Sequence, residues 1–256
     1  MQENPIGFFD SGVGGLSVLK YAIEFMPEEN YIYFGDSLNA PYGTKTKEEV
    51  YSLTENGINN LISQGVKAIV VACNTATSIA IDDLRKKIDI PIISMEPAIK
   101  PALEKTNGKV LLLATSVTVK SVRVNKLIEK YDVDNRVIKV PCEKLAKKIE
   151  EAVFYESDID TYLLELLYPY KNKNVSAIVL GCTHYPFVEK KIKNIIGEGI
   201  CIFDGIEGTV SHLKDILVEK NIKNYSCKKG SVQIQSSLKG EKTLELYNKL
   251  LCGGIL

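Results

Sequence analysis

The chain has 256 residues, 45% apolar and 25% charged, the make-up of a soluble globular protein with room for two packed domains. Its 32 basic residues balance 32 acidic ones, so the formal net charge is zero. Phosphate surfaces require concentrated positive charge, so neither nucleic acid nor a membrane is an expected partner. No apolar run nears the roughly 18 residues that span a bilayer, and residues 1–5 lack the basic start of a signal peptide. Six cysteines are scattered without a CxxC pair or zinc spacing, which predicts reduced thiols, no metal and a cytoplasmic location.

Taken in chain order, an apolar strand at 6–9 leads through Asp10-Ser11-Gly12-Val13-Gly14-Gly15 into a helix at 15–25. A strand at 31–34 is followed by a turn-rich loop containing Pro41-Tyr42-Gly43, then a helix at 48–63. Strand 68–72 ends at Cys73-Asn74-Thr75 and a helix at 75–87; strand 90–94 then stops at Pro97. Strands at 110–114, 137–140, 177–180 and 200–203 follow, with helices at 119–131, 158–168 and 186–196 between them. Helix 208–220, strand 232–235 and helix 241–251 close the chain. The clusters Lys144, Lys147, Lys148 and Lys190, Lys191, Lys193 sit beside glutamates at helical spacing and read as solvated helix faces.

Short strands apolar on both faces and alternating with helices predict an α/β protein with parallel sheets. A second pattern predicts two similar halves. Residues 68–75 resemble residues 177–184, each a buried strand, a small residue, a cysteine and a hydrogen-bonding pair. Upstream lie Asp10-Ser11 and Thr115-Ser116, with Ser-to-Cys separations of 62 and 66 residues. The expected domains are residues 1–96 with 208–256, and residues 97–207. Each half then presents one cysteine at the carboxyl end of a strand, the ligand-binding end of open parallel sheets. Facing halves form a pseudo-dimer with a cleft between them.

A lone strand-end cysteine reads as a buried small hydrophobe, whereas two in matched settings read as a pair. Helix N-terminal N–H groups favour thiolate, and with Asn74, Thr75 and Thr183 they can hold a carboxylate. Two opposed thiols tuned near neutrality can take a proton from one face of an α-carbon and return one to the other. Serine is too weakly acidic for this, and methionine exchanges no proton. His184 and Asp10 are placed to tune the thiols; the other histidine, His212, lies in a helix without such neighbours. The glycines after Asp10 fall short of a dinucleotide fingerprint, since Ser17 stands at its third glycine, so a cradle for a small carboxylate fits better than nicotinamide.

Four blocks, Gly7–Leu16, Phe34–Ser37 through Pro41-Tyr42-Gly43, Ala72–Ala76 and Leu180–Pro186, resemble the signature blocks of the glutamate racemase family, in the same order. Aspartate and hydantoin racemases share the cysteine pair but are less similar in the glycine and Pro-Tyr-Gly blocks. The resemblance implies interconversion of L- and D-glutamate without pyridoxal phosphate or any other cofactor, supplying D-glutamate for peptidoglycan. It implies Cys73 and Cys182 as the acid/base pair, assisted by Asp10, His184 and Glu150, with Glu151 as a rival for the last position. Asp10, Ser11, Pro41, Tyr42, Gly43, Asn74, Thr75, Thr118, Thr183 and His184 are the implied substrate contacts. Two departures bear on Glu150: the segment from Cys142 reads Glu143-Lys144-Leu145-Ala146-Lys147-Lys148-Ile149, not a Pro- and Phe-rich run, and Val124 replaces a frequent tyrosine. The competing expectations are an aspartate or broad-range racemase, a Cys/His thiol hydrolase with Cys182 as nucleophile, and a non-catalytic binding module. Homodimerisation is left open.

Overall fold

A computed structural model describes residues 2–154 and 158–252; residues 1, 155–157 and 253–256 of the two expected domains lie outside them. Among the described residues nine strands form two all-parallel sheets. The first contains β1 (Ile6–Asp10), β2 (Tyr31–Gly35), β3 (Ala68–Val71), β4 (Ile92–Ser94) and β9 (Val232–Ser236), in the order β4-β3-β1-β2-β9. The second contains β5 (Lys109–Ala114), β6 (Val137–Pro141), β7 (Val175–Leu180) and β8 (Cys201–Asp204), in the order β6-β5-β7-β8. Omitting β9, the first sheet has the same order as the second, with β1 matching β5 and β3 matching β7. The strand leading into Cys73, β3, therefore lies beside β1, and the strand leading into Cys182, β7, beside the matching β5.

The period-two alternation of these apolar strands splits each sheet between two cores. Ile6 and Phe8 face a core shared with α1 (Leu16–Phe25), α10 (Ile206–Glu219) and α11 (Glu241–Leu251). Phe9, Ile69 and Val71 face the opposite one, under α2 (Lys47–Ile62) and α3 (Asn74–Lys87). In the second sheet Leu111, Leu113, Ile178 and Leu180 pack with α7 (Leu145–Phe154), α8 (Ile159–Leu167) and α9 (Glu189–Ile196). Val110, Leu112, Ala177 and Val179 pack on the other side with α4 (Ile99–Lys105), α5 (Ser116–Lys120) and α6 (Val122–Tyr131). The C-terminal elements thus return to the first sheet: β9 pairs with β2, while Leu213 and Tyr247 enter the core of α1.

Three local features differ from the sequence expectations. The helix expected at 119–131 is broken at Ser121, whose extended backbone and hydroxyl, accepting from Val124 N, end α5 and cap α6. The helix expected from 186 begins at Glu189, after a 3-10 turn at Tyr185–Val188. Helix α4 has no counterpart in the sequence expectations and carries Pro101 in its first turn, where a missing N–H is tolerated; of α7 only the lysine face at 144–148 is expected, and its apolar stripe of Leu145, Ala146 and Ile149 lies between those lysines. Among the described residues no helix is long and apolar enough to cross a membrane.

Candidate active site

The carboxyl ends of the two sheets meet through hydrogen bonds. Asp10, the last residue of β1, accepts from Gly12 N at 3.0 Å and from the Thr183 hydroxyl, after β7, at 3.0 Å. It is fully buried, and burial pushes its carboxyl up to about 6, against the opposing pull of His184, Gly12 and Thr183. Gly12 packs closely here: a Cβ at this position would come within 1.8 Å of Glu150 Oε1 and displace that carboxylate. Its carbonyl accepts from Tyr33 OH at 2.7 Å, which holds the turn from below.

Cys73 occupies the N-cap of α3, where its sulfur accepts from Ala76 N at 3.4 Å and its thiol donates to Ser11 Oγ at 3.4 Å. The helix-end position is the one expected from the sequence, but the expected tuning to neutrality is not found. Burial pushes the Cys73 thiol up to about 12, and the Asp10 carboxylate and Cys182 add to the effect beyond what Ser11 and Ala76 offset. Desolvation of a thiolate in this pocket outweighs the helix end. Cys73 rests as a thiol.

Cys182 is in a different setting. No α-helix starts at it; the chain passes through the 3-10 turn before α9 begins. Its sulfur lies 3.6 Å from His184 Nδ1, and His184 Nε2 lies 2.6 Å from Glu150 Oε1 on α7. Burial works to lower the imidazole pKa, yet the hydrogen bonds to Cys182 and Glu150 and the Glu150 charge prevail and hold it well above 6.5. In that protonated form both ring nitrogens donate, one to each neighbour. Glu150 Oε1 also accepts from Val13 N at 2.9 Å, so one carboxylate ties α7 to the glycine turn of the other sheet.

A cluster of hydroxyls closes the opposite side. Thr75 Oγ1 on α3 is 3.0 Å from Thr115 Oγ1 and 3.4 Å from Thr118 Oγ1, and Thr115 donates to Thr118 at 3.0 Å. Gly43 lies against this junction, since a Cβ there would come within 2.8 Å of the Thr115 methyl. Pro41 precedes the short turn Tyr42–Thr44; the Tyr42 hydroxyl donates to Asp36 Oδ2 at 2.6 Å and its ring packs near Phe9. Asn74 is 4% exposed, yet neither its Oδ1 nor its Nδ2 has a partner among the described residues. A buried amide with a free donor and a free acceptor is fitted to a polar ligand.

The cysteines, Asp10, Ser11, Tyr42, Gly43, Asn74, Thr75, Thr118, Thr183 and His184 gather around these sheet ends, and the two candidate carboxylates separate clearly. Glu150 is buried against His184, whereas Glu151 is solvent-facing beside Lys147. Three participants were missed. Thr115 links Thr75 to Thr118, Asp36 holds Tyr42 and Asn39, and Tyr33 supports Gly12. Thr115 was within reach as the N-cap of α5, since it accepts from Thr118 N in the S/T-x-x pattern. No local pattern marks Tyr33, whose role arises from strand pairing.

Two matched parallel sheets that each end in a buried cysteine, joined through Asp10–Thr183 and Glu150–Val13, define a racemase-type α/β protein. The Asp/Glu/hydantoin racemase family matches residues 17–213. The chain is 50% identical over 253 residues to a glutamate racemase of Clostridium perfringens, covering 98% of this chain and 97% of that one. Its fold superimposes on a glutamate racemase isoform from Bacillus anthracis with a TM-score of 0.84 at 28% identity, covering 100% and 96% of the two chains. The Francisella tularensis glutamate racemase, solved in complex with D-glutamate, gives 0.84 at 29% identity with the same coverage. The chain belongs to the Asp/Glu/hydantoin racemase family, within its glutamate racemase branch.

Proposed function

We propose that the chain interconverts L- and D-glutamate in the cytoplasm without a cofactor, Cys73 and Cys182 acting on opposite faces of the α-carbon, and that it supplies D-glutamate for peptidoglycan. The observation that carries this reading is the matched placement of Cys73 after β3 and Cys182 after β7, both buried, with the two sheet ends tied together by Asp10–Thr183. The names of the relatives and the D-glutamate bound by the Francisella protein support the substrate. The repeated strand order supports residues 1–96 with 208–256 as one domain and 97–207 as the other.

In one direction Cys182, with the His184 imidazolium beside its sulfur, takes the α-proton. Cys73, resting as a thiol, gives its own to the opposite face. The electron pair left on carbon is spread into the substrate carboxylate, which the Asn74 amide and the N–H groups at the start of α3 would hold. One thiol and one thiolate remain afterwards with their roles exchanged, so the reverse reaction starts from Cys73. Ionised Asp10 makes the Cys73 thiolate a stronger base, and Glu150 keeps His184 charged and oriented. Ser11, the main chain of Pro41-Tyr42-Gly43, Thr75, Thr118 and Thr183 would position the two carboxylates.

Cys182–His184–Glu150 also has the order of a thiol hydrolase relay. That reading leaves Cys73, Asp10 and the unpartnered Asn74 without a task. The deciding experiment is incubation of the purified, cofactor-free protein with L-glutamate in deuterated water, with L-aspartate in parallel. Racemisation with one α-deuterium gained per inversion is expected for glutamate and far less for aspartate. Retained chirality, or a requirement for added pyridoxal phosphate, would refute the proposal.

A further inference from the structure

A cavity of about 810 Å³ opens outside the hydroxyl junction, between α2 and α3 of the first sheet and α5 and α6 of the second. Its size is within the roughly 300–1,000 Å³ of small-molecule sites. None of the residues that line it was assigned to glutamate. Ile79, Val117 and Val122 supply apolar surface with the ring of Tyr51, and Val122 is 69% exposed. Lys47 and Lys120 stand in the wall, and neither has an ion-pair partner among the described residues. Glu48 is the acidic group among the lining residues, and Glu143 accepts from the lining Ser116 hydroxyl at 2.9 Å.

Both α2, which begins at Lys47, and α6, which begins at Val122, direct their first turns to this cavity. A Thr46–Glu49 capping box closes α2 and the Ser121 hydroxyl caps α6, so the two unpaired lysines are the cationic groups open to a ligand. Apolar walls beside two such lysines suit a molecule with an aromatic or aliphatic body and one anionic group, and suit free glutamate poorly, since it has no apolar body.

We propose that this cavity is a second small-molecule site, for an amphipathic carboxylate, separate from the glutamate site and built from helices of both sheets. It goes beyond the racemase reading and does not depend on it. Its neighbours give it contact with the junction: Ser78 lies one turn after Thr75, and Ser121 Oγ donates to the Thr118 carbonyl at 2.8 Å.

The test uses 2-naphthoate as probe, titrated calorimetrically into the full chain with D-glutamate present in excess, and 2-naphthylmethanol as its uncharged counterpart. One saturable site per chain is expected, persisting in excess D-glutamate. Binding should weaken by at least about tenfold for the alcohol and for Lys47→Glu combined with Lys120→Glu, because the charge complementarity is lost. Ile79→Trp, which fills the cavity without changing its charge, should abolish binding while the thermal melt stays near that of the parent. Absence of saturable binding, displacement of 2-naphthoate by D-glutamate, or equal affinity in the doubly charge-reversed protein would overturn the proposal.

Discussion

Glu150 and Val13 are 137 residues apart in sequence, yet the backbone N–H of Val13 donates to Glu150 Oε1 at 2.9 Å. The same oxygen accepts from His184 Nε2 at 2.6 Å. One carboxylate therefore fixes the charge state of a catalytic candidate in one half and the position of the glycine turn in the other. Its loss should affect both docking of the halves and the chemistry at Cys182.

Glu150→Gln retains the size and an acceptor oxygen but removes the charge that holds the His184 imidazolium. Hydrogen bonds to charged groups contribute about 1.5–3 kcal/mol, so kcat/KM should fall by about 10- to 100-fold. The His184 titration followed by NMR should move down at the same time. Glu151→Gln, on the exposed side of α7, should stay close to wild type. Unchanged kcat/KM in Glu150→Gln would remove Glu150 from the mechanism.

Asp10 gives a pH dependence with a definite sign. Burial lifts its carboxyl to about 6, so the folded chain binds more protons than the unfolded chain between about pH 4 and 6. Stability from this group is full below about pH 4 and is lost as pH rises through 6, a linkage of about 3 kcal/mol. Activity should follow the opposite course, with kcat/KM rising through pH 6 as the carboxylate forms. Asp10→Asn should erase both features, giving a flat acid limb and a thermal melt less sensitive to pH in this window. An acid limb that persists near pH 6 in Asp10→Asn would assign the titration to another group.

The inner strands β1, β3, β5 and β7 were legible in the sequence because parallel strands buried on both faces leave unbroken apolar runs, and the outer β9 by its alternation Val232-Gln233-Ile234-Gln235. So was the repeat, since the same polar ending recurs after β1 and β5 and the same cysteine ending after β3 and β7. The environment of each thiol was not legible. Cys73-Asn74-Thr75 and Cys182-Thr183-His184 look alike as strings, but only the first begins an α-helix, and only the second meets a carboxylate from α7. Desolvation is a property of packed neighbours, so the position of Cys73 at a helix end could not reveal that burial would prevail.

Gly12 tests whether the approach of the halves matters. A Cβ at this position would overlap Glu150 Oε1, and the next nearest group is His184 Nε2 at 3.4 Å. Gly12→Ala should therefore push Glu150 off Val13 and His184, lowering stability by about 1–3 kcal/mol as overpacking does. It should also cost more activity than Glu150→Gln, because position is lost as well as charge. A Gly12→Ala protein with the parent melt and rate would show that the halves can separate here without consequence.

The two thiols should be distinguishable by which enantiomer each serves. Cys73, capped by Ala76 N and bonded to Ser11, and Cys182, paired with His184, approach from different sheets. Replacing either with serine keeps the size but exchanges a thiol for a far weaker acid. Since every inversion uses both groups, racemisation in both directions should fall by about 10²–10⁴-fold or more in either variant. Partial reactions should diverge: each variant should still exchange the α-proton, or eliminate a β-leaving group, preferentially from the enantiomer facing its surviving sulfur. Circular dichroism and thermal melting should stay near the parent, so that a loss of rate reports chemistry. The pH profiles should differ too, because the thiol left in Cys182→Ser is the one that burial pushes up to about 12, and its base function should appear only at the alkaline end. A well-folded Cys73→Ser or Cys182→Ser protein racemising at the parent rate would refute the two-thiol mechanism.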